Sequence, residues 1–265
     1  MSYNTRDLLL EAIGSVVDEP GVETIVVDNA SYDGSPDAVA RRFPSVHLIR
    51  SDSNLGFASG VNRASARARG DALLMLNSDA RLLPGSLDRL LTILKAQPRA
   101  ALVSPALRYP DGRRQAAAFR FPGLVQIALD LHPVHRLADT PLNGRIRTRG
   151  PSGIDHPLGA CMLIRRAAWQ DVGPLDEGYF MYLEEIDWCR RATARGWQIW
   201  HEPAAVAIHH GGSSTRQHAD RMFDQLWRSR LRYYARYHAP LYNRAVHLLV
   251  RLGLPRDQAV RDLVS

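Results

Sequence analysis

VETIVVDNAS, residues 22–31, is a run of β-branched apolar residues that stops at the polar cluster Asp28-Asn29-Ala30-Ser31. Such residues suit a pleated, largely buried strand, and open α/β sheets gather their ligand-binding groups at the carboxyl ends of strands. Further runs of this kind occur at 46–50 (VHLIR) and 72–77 (ALLMLN), with helix-like segments over 5–17, 37–42 and 58–69. Strands alternating with helices predict an α/β domain with a mixed, mostly parallel sheet flanked by helices. The third strand ends in Asn77-Ser78-Asp79-Ala80, so two polar clusters are expected on one rim. Residues 108–157 are rich in Pro, Gly, Arg and His without clear periodicity, and read as long loops or a lid over that rim.

At 265 residues and 45% hydrophobic content the chain can build one sizeable α/β core. It has no apolar run of transmembrane length, and its first twenty residues carry Asp7, Glu11, Asp18 and Glu19, unlike a secretory signal; a cytoplasmic protein is expected. Cys161 and Cys189 form neither a C-x-x-C pair nor a disulfide framework, and read as small core residues. The formal charge is +7, and it is concentrated: seven arginines between Arg221 and Arg251 face one acid, Asp224, while the rest is nearly neutral. Nucleic acid is therefore a poor partner for the body of the chain. The segment 216–265 reads as a basic amphipathic helical tail in which Phe223, Leu226, Trp227, Leu231, Tyr233, Tyr234 and Tyr237 interleave with Arg228, Arg230, Arg232 and Arg236. It would dock on an anionic membrane, at the inner face of the cell membrane, or pack its aromatics on the body with the arginines in water.

Three constellations could carry chemistry. Asp79, after the 72–77 strand, is placed to bind a hard divalent cation that neutralises a diphosphate, although a lone N-x-D is more often an Asx turn. Glu184, Glu185 and Asp187 open a helix after GYFMYL; one could act as a base, or all could pair with Arg190, Arg191 and Arg195. Glu184 and Asp187 share a helical face at i, i+3, whereas Glu185 points elsewhere. The strand-like VAIHHGGSS, residues 206–214, ends in His209 and His210, and imidazole at a strand end is a plausible metal ligand.

Taken in order, SYNTRDLL (2–9), VVDNASYDGS (26–35), NLGFASGVNRA (54–64), LLMLNSDARL (73–82), GACMLIRR (159–166), LDEGYFMYLEEIDWCRRATARGW (175–197) and HHGGSS (209–214) resemble a bacterial family 2 glycosyltransferase of the rhamnosyltransferase-like group. The resemblance implies a GT-A fold, a nucleotide-diphosphate sugar donor, a divalent metal, Mn²⁺ or Mg²⁺, and inversion at the anomeric carbon. Overall likeness favours dTDP-rhamnose as donor, and a glycan or lipid-linked glycan as acceptor. By the same resemblance Tyr3, Asp28 and Asn29 hold nucleobase and ribose, Asn54 and Asn62 line the donor pocket, and Asn77 contacts ribose. Asp79 and His209 ligate the metal, with Gly212 and Ser214 completing H-x-x-G-x-S. Glu185 is the base, and Asp176 and Glu184 bind donor or acceptor hydroxyls. Two positions depart from the family: Asn77 replaces the first Asp of D-x-D, and Glu185 replaces the more usual Asp.

The expected organisation is a catalytic body over 1–215, with a nucleotide-binding half to about 105 and an acceptor-side half beyond it, followed by the tail. A nucleotide-binding domain should open with a buried strand, yet this chain enters a helix directly after Met1-Ser2-Tyr3-Asn4. A first strand truncated by a late start is expected. Two rival functions remain: a nucleotidyltransferase, for which a Gly-rich basic N-terminal loop is missing, and a catalytically silent nucleotide-sugar or nucleic-acid binder of the same fold.

Overall fold

The computed structural model describes residues 1–131, 140–212 and 219–253. In chain order its elements are α1 (Arg6–Gly14), β1 (Ile25–Asp28), α2 (Ser35–Arg42), β2 (His47–Arg50), α3 (Gly56–Ser65), β3 (Ala72–Leu76), β4 (Ala80–Leu82), α4 (Ser86–Ala96), β5 (Ala100–Arg108), β6 (Arg114–Gln115) and β7 (Ala118–Phe119). They continue with α5 (Leu124–Leu131), β8 (Ser152–Ile154), β9 (His156–Pro157), β10 (Cys161–Arg165), α6 (Arg166–Val172), α7 (Glu184–Ala194), β11 (Gln198–His209), α8 (Ala219–Tyr237) and α9 (Pro240–Gly253). The three strands and three helices read from the first eighty residues are all present, each within a few residues of its expected ends.

The main sheet has the order β3-β10-β5-β11-β4, with β6 and β8 attached to β5 and β11. β5 runs through its centre because Ala100 to Val103 are fully buried, and Leu87, Leu90 and Leu94 of α4 pack against it at i, i+3, i+7. The sheet is mixed, as expected, but antiparallel pairs prevail over parallel ones. β10 enters between β3 and β5 antiparallel to both, and only β5 and β11 run together. β1 and β2 form a separate parallel pair. Where a first strand was expected, Ser2 makes one parallel bridge to Asp28, donating from its N to Val27 O at 2.8 Å and accepting from Asn29 N at 2.9 Å. Both cysteines are buried and free. The expected lid, 108–157, holds short pieces of structure, β6 to β9 and α5, among its loops.

The aromatic face of α8 turns inward. Trp227, Tyr233 and Tyr234 are buried with Tyr179, Leu183 and Ile186, and α9 adds Val246 and Val250 to the same cluster. Arg232 and Arg236 reach Asp176 at 2.9 and 2.6 Å, and Arg230 stacks on the Trp227 ring. The face of α8 expected at a membrane is thus the face that packs on the body, because the ring area it carries gains more from burial there than from exposure. The expected boundary at 215 falls outside the described residues.

Gly56 joins α3 to the segment before α7. It has φ +82°, and a Cβ there would stand 2.3 Å from the Phe180 carbonyl oxygen, which accepts a hydrogen bond from Phe57 N at 2.7 Å. Gly85 has φ +73° and open space around it. Gly85→Ala should cost only the left-handed strain, about 1 kcal/mol or a fall of roughly 2–4 °C in Tm. Gly56→Ala should cost several times more, since backbone must move; equal losses in thermal unfolding would contradict this close approach.

Candidate active site

One cavity of about 730 Å³ gathers Tyr3, Asn54, Asn77, Asp79, Glu184, Glu185 and His209. Asp79 and His209 meet because β4 and β11 pair antiparallel with Ala80 opposite His209, and His210 N donates to Asp79 O at 3.0 Å. This register brings His209 Nε2 to 3.4 Å from Asp79 Oδ1, with both residues buried. His209 Nδ1 lies 2.9 Å from Gln115 Oε1, which favours the Nδ1–H tautomer and leaves the Nε2 lone pair facing the carboxylate. A carboxylate oxygen and an imidazole nitrogen converging on one point suit a divalent cation, and the second-sphere amide holds the ring in position. Among the described residues there is no cluster of three or more such side chains.

The glutamates owe their direction to a strained turn. Tyr182 and Leu183 have φ of +71° and +67°, a left-handed conformation costing non-glycine residues about 1–2 kcal/mol each. Burial of Leu183 and a 2.7 Å hydrogen bond from Ser229 Oγ of α8 to Met181 O hold the turn. Helix α7 then begins at Glu184, and both Glu184 and Glu185 reach the cavity. Asp187 does not. It is fully buried and bound by Arg191 Nε at 2.8 Å, Tyr237 Oη at 2.7 Å and Arg236 Nη1 at 3.2 Å. The expected grouping of Glu184 with Asp187 is therefore corrected: Arg191, Arg236 and Tyr237 take up Asp187, while Glu184 and Glu185, about 100° apart around the helix, both border the cavity.

Burial holds the Glu184 carboxyl well above the usual carboxylate range, and the charge of Glu185 adds to it. Burial also raises Glu185, to about 7, against hydrogen bonds from backbone groups of Glu185, Ile186 and Gly159 that pull it down. Each has an Oε2 that is buried without a hydrogen-bond partner among the described residues. Gly159 makes room for this packing: a Cβ there would lie 3.3 Å from Cγ, Cδ and Oε1 of Glu185.

Four residues expected at the site are not in the cavity wall. Asp28 and Asn29 are buried at the carboxyl end of β1. Asp28 Oδ2 accepts from Ser31 N, and Asn29 Nδ2 donates to Gly56 O and Asn54 Oδ1, while Oδ1 of each has no partner among the described residues. Asn62 clamps the loop before α7, donating to Leu175 O and Glu177 Oε1 and accepting from Leu175 N, all within 3.0 Å. Asp176 is held by Arg232 and Arg236; burial works against its ionisation, but those partners and Gly178 N keep its carboxyl below the usual range. A carboxylate tied to two guanidinium groups has little capacity left for a sugar hydroxyl. Ser214 lies outside the described residues. The cavity also draws in Gln115, Phe180, Met181, Tyr182, and Arg221, Met222 and Gln225 of α8. Of these, Phe180, Met181 and Tyr182 stand in the GYFMYL stretch ahead of the glutamates, and Arg221 was read as part of the tail.

The family model "Glycosyl transferase family 2" matches residues 1–173. The chain is 31% identical to the N-acetylglucosaminyl-diphospho-decaprenol L-rhamnosyltransferase of Mycobacterium tuberculosis, covering 92% of this chain and 88% of that protein. It shares 27% identity with the low-salt glycan biosynthesis hexosyltransferase Agl10 of Haloferax volcanii over 71% of this chain and 58% of that protein. Among solved structures, the mannosyltransferase PcManGT of Pyrobaculum calidifontis, in complex with GDP-Man and Mn²⁺, superposes with a TM-score of 0.61 at 19% identity, covering 98% of this chain and 71% of that one. The fold is GT-A. With the family match spanning 173 of 265 residues and one relative aligned over nearly its whole length, the chain belongs to glycosyl transferase family 2.

Proposed function

We propose that the chain transfers a sugar from a nucleotide-diphosphate donor to a hydroxyl of a lipid-linked glycan, by a single displacement with inversion. The observation that carries this reading is the meeting in one cavity of Asp79 and His209 with the raised carboxyl of Glu185. Glu185 takes the proton of the acceptor hydroxyl as its oxygen attacks the anomeric carbon, and a carboxyl near 7 is well matched to that task. Glu184, beside it on the same cavity wall, hydrogen-bonds a sugar hydroxyl. Asp79 and His209 would hold a divalent cation, which when bound supplies Lewis-acid stabilisation of the donor diphosphate; the imidazole suits Mn²⁺ at least as well as Mg²⁺. Arg221 faces the same cavity and adds positive charge for the diphosphate. Tyr3 and Asn54 line the nucleotide end of the cavity. The name of the mycobacterial relative supports rhamnose as the sugar and a diphosphate-linked lipid as acceptor; the donor in this reading is dTDP-rhamnose.

No helix among the described residues is long and apolar enough to cross a membrane. A lipid-linked acceptor nonetheless requires the bilayer surface, at the cytoplasmic face, and α9 is the element suited to it. Leu241, Leu248 and Leu252 are 77%, 57% and 65% exposed and fall within roughly 40° of one another around the helix, with exposed Arg244 and Arg251 on one flank. Such a face inserts its leucines at an anionic interface and sets its arginines among the headgroups.

Glu185→Gln should lower kcat by about 10²–10⁴ with donor affinity within about twofold of wild type. Because Glu185 must be deprotonated to act, wild-type kcat/KM should fall about tenfold per pH unit below about 7 and level off above it. A flat profile between pH 5.5 and 8, or a larger kcat loss in Glu184→Gln, would contradict the assignment.

In vesicle sedimentation the protein should pellet with anionic but not neutral liposomes, and Leu248→Asn with Leu252→Asn should release it. Equal recovery in the supernatant for both vesicle types would exclude α9 as a docking face.

A further inference from the structure

Helix α8 presents one stripe of side chains to the site. Arg221, Gln225 and Ser229 are spaced by four residues, so they stand on one helical face, about 6 Å apart along the axis. Arg221 and Gln225 border the cavity, and the buried Ser229 packs one turn further on against the chain leading into α7. Gln225 Nε2 donates to Ser229 Oγ at 3.2 Å, and Ser229 Oγ donates to Met181 O at 2.7 Å. Met181 directly precedes Tyr182, the first of the two left-handed residues that aim Glu184 and Glu185.

This chain of bonds fixes the Gln225 amide by its nitrogen end alone. Oε1 accepts no hydrogen bond among the described residues, yet it is not one of the side-chain oxygens shut off from solvent. An amide oxygen held at a cavity wall with its lone pairs open takes a hydrogen-bond donor. The diphosphate of the nucleotide sugar is not that partner, because its oxygens carry no proton to give at neutral pH and repel the amide oxygen. A sugar is, through a hydroxyl or an amide N–H. The bonds from Gln225 end on the segment that carries Glu185, the group that takes the acceptor proton, and this points to the acceptor sugar.

We propose that Gln225 binds a hydroxyl or amide N–H of the acceptor sugar through Oε1, and that Ser229 is the positioning residue that ties this contact to the turn aiming Glu185. A proton donated to Oε1 polarises the amide, which strengthens the bond from Nε2 to Ser229 Oγ and, through it, the bond to Met181 O. The turn is therefore held most firmly when acceptor is in place. This inference rests on the transferase reading for the identity of the sugar, but not for the open amide oxygen or the bonds behind it.

The test is calorimetric titration of the full chain, without nucleotide sugar, using farnesyl-diphosphate-linked N-acetylglucosamine as the probe. Gln225→Met keeps the length of the side chain and removes the amide, and should weaken probe binding about threefold to tenfold. In turnover with dTDP-rhamnose the acceptor KM should rise by the same factor while the donor KM stays within about twofold. Ser229→Ala leaves the oxygen on Gln225 and frees Met181 O, so kcat should fall about tenfold or more, with probe affinity changed less than in Gln225→Met. The double variant should lose less in kcat/KM than the product of the two single losses, since both cut one chain of bonds. No probe binding by wild type, unchanged affinity in Gln225→Met, a loss that falls on the donor KM instead, an unchanged kcat in Ser229→Ala, or a double variant that loses the full product would each overturn the proposal. A wild-type chain that binds the probe but transfers no sugar counts against the transferase reading, and calorimetry of Gln225→Met still decides the contact.

Discussion

Asp187 is a carboxylate with no solvent exposure, and Arg191, Arg236 and Tyr237 close around it. Breaking such a buried arrangement by removing one partner costs about 3–5 kcal/mol, since the remaining charges stay desolvated. Two of the three partners come from α8, so the interaction fixes α8 across the start of α7. Ser229 of the same helix fixes the turn at Met181, and Arg232 with Arg236 fixes Asp176 ahead of it. The direction of Glu184 and Glu185 is set between these points. A segment that composition marks as a tail is in this respect part of the site.

The cost of the site is visible in its electrostatics. Two adjacent glutamates each have a buried, unpartnered Oε2 among the described residues, next to two consecutive left-handed residues that are not glycine. Each feature opposes folding, yet burial raises the Glu185 carboxyl toward neutral pH and the turn aims it into the cavity. The apolar clusters on both faces of the main sheet offset this strain with buried area, while the Asp187 clamp confines it to one turn.

Much of this was legible in the residues because it is local. The strands at 25–28, 47–50 and 72–76 announce themselves by β-branched or apolar runs ending in polar turns, and Asp79 and His209 each follow such a strand. What was not legible depends on distant pairing. Nothing in CMLIR tells that β10 slips antiparallel between β3 and β5 and so reverses the expected balance of the sheet. Arg232 and Arg236 read as solvent-facing until Asp176, more than fifty residues earlier, is brought beneath them. Asn62 and Asp176 have the residue types of a sugar-binding site and are occupied in bracing its loop, a distinction that only their partners reveal.

On the proposed reading, Glu185 drives a single displacement in which acceptor and nucleotide stand on opposite sides of the anomeric carbon. Proton NMR of the first product formed from a donor of known anomeric configuration tests it most directly. An anomeric signal of opposite configuration to the donor is the result predicted; a product that retains the donor configuration would contradict the account.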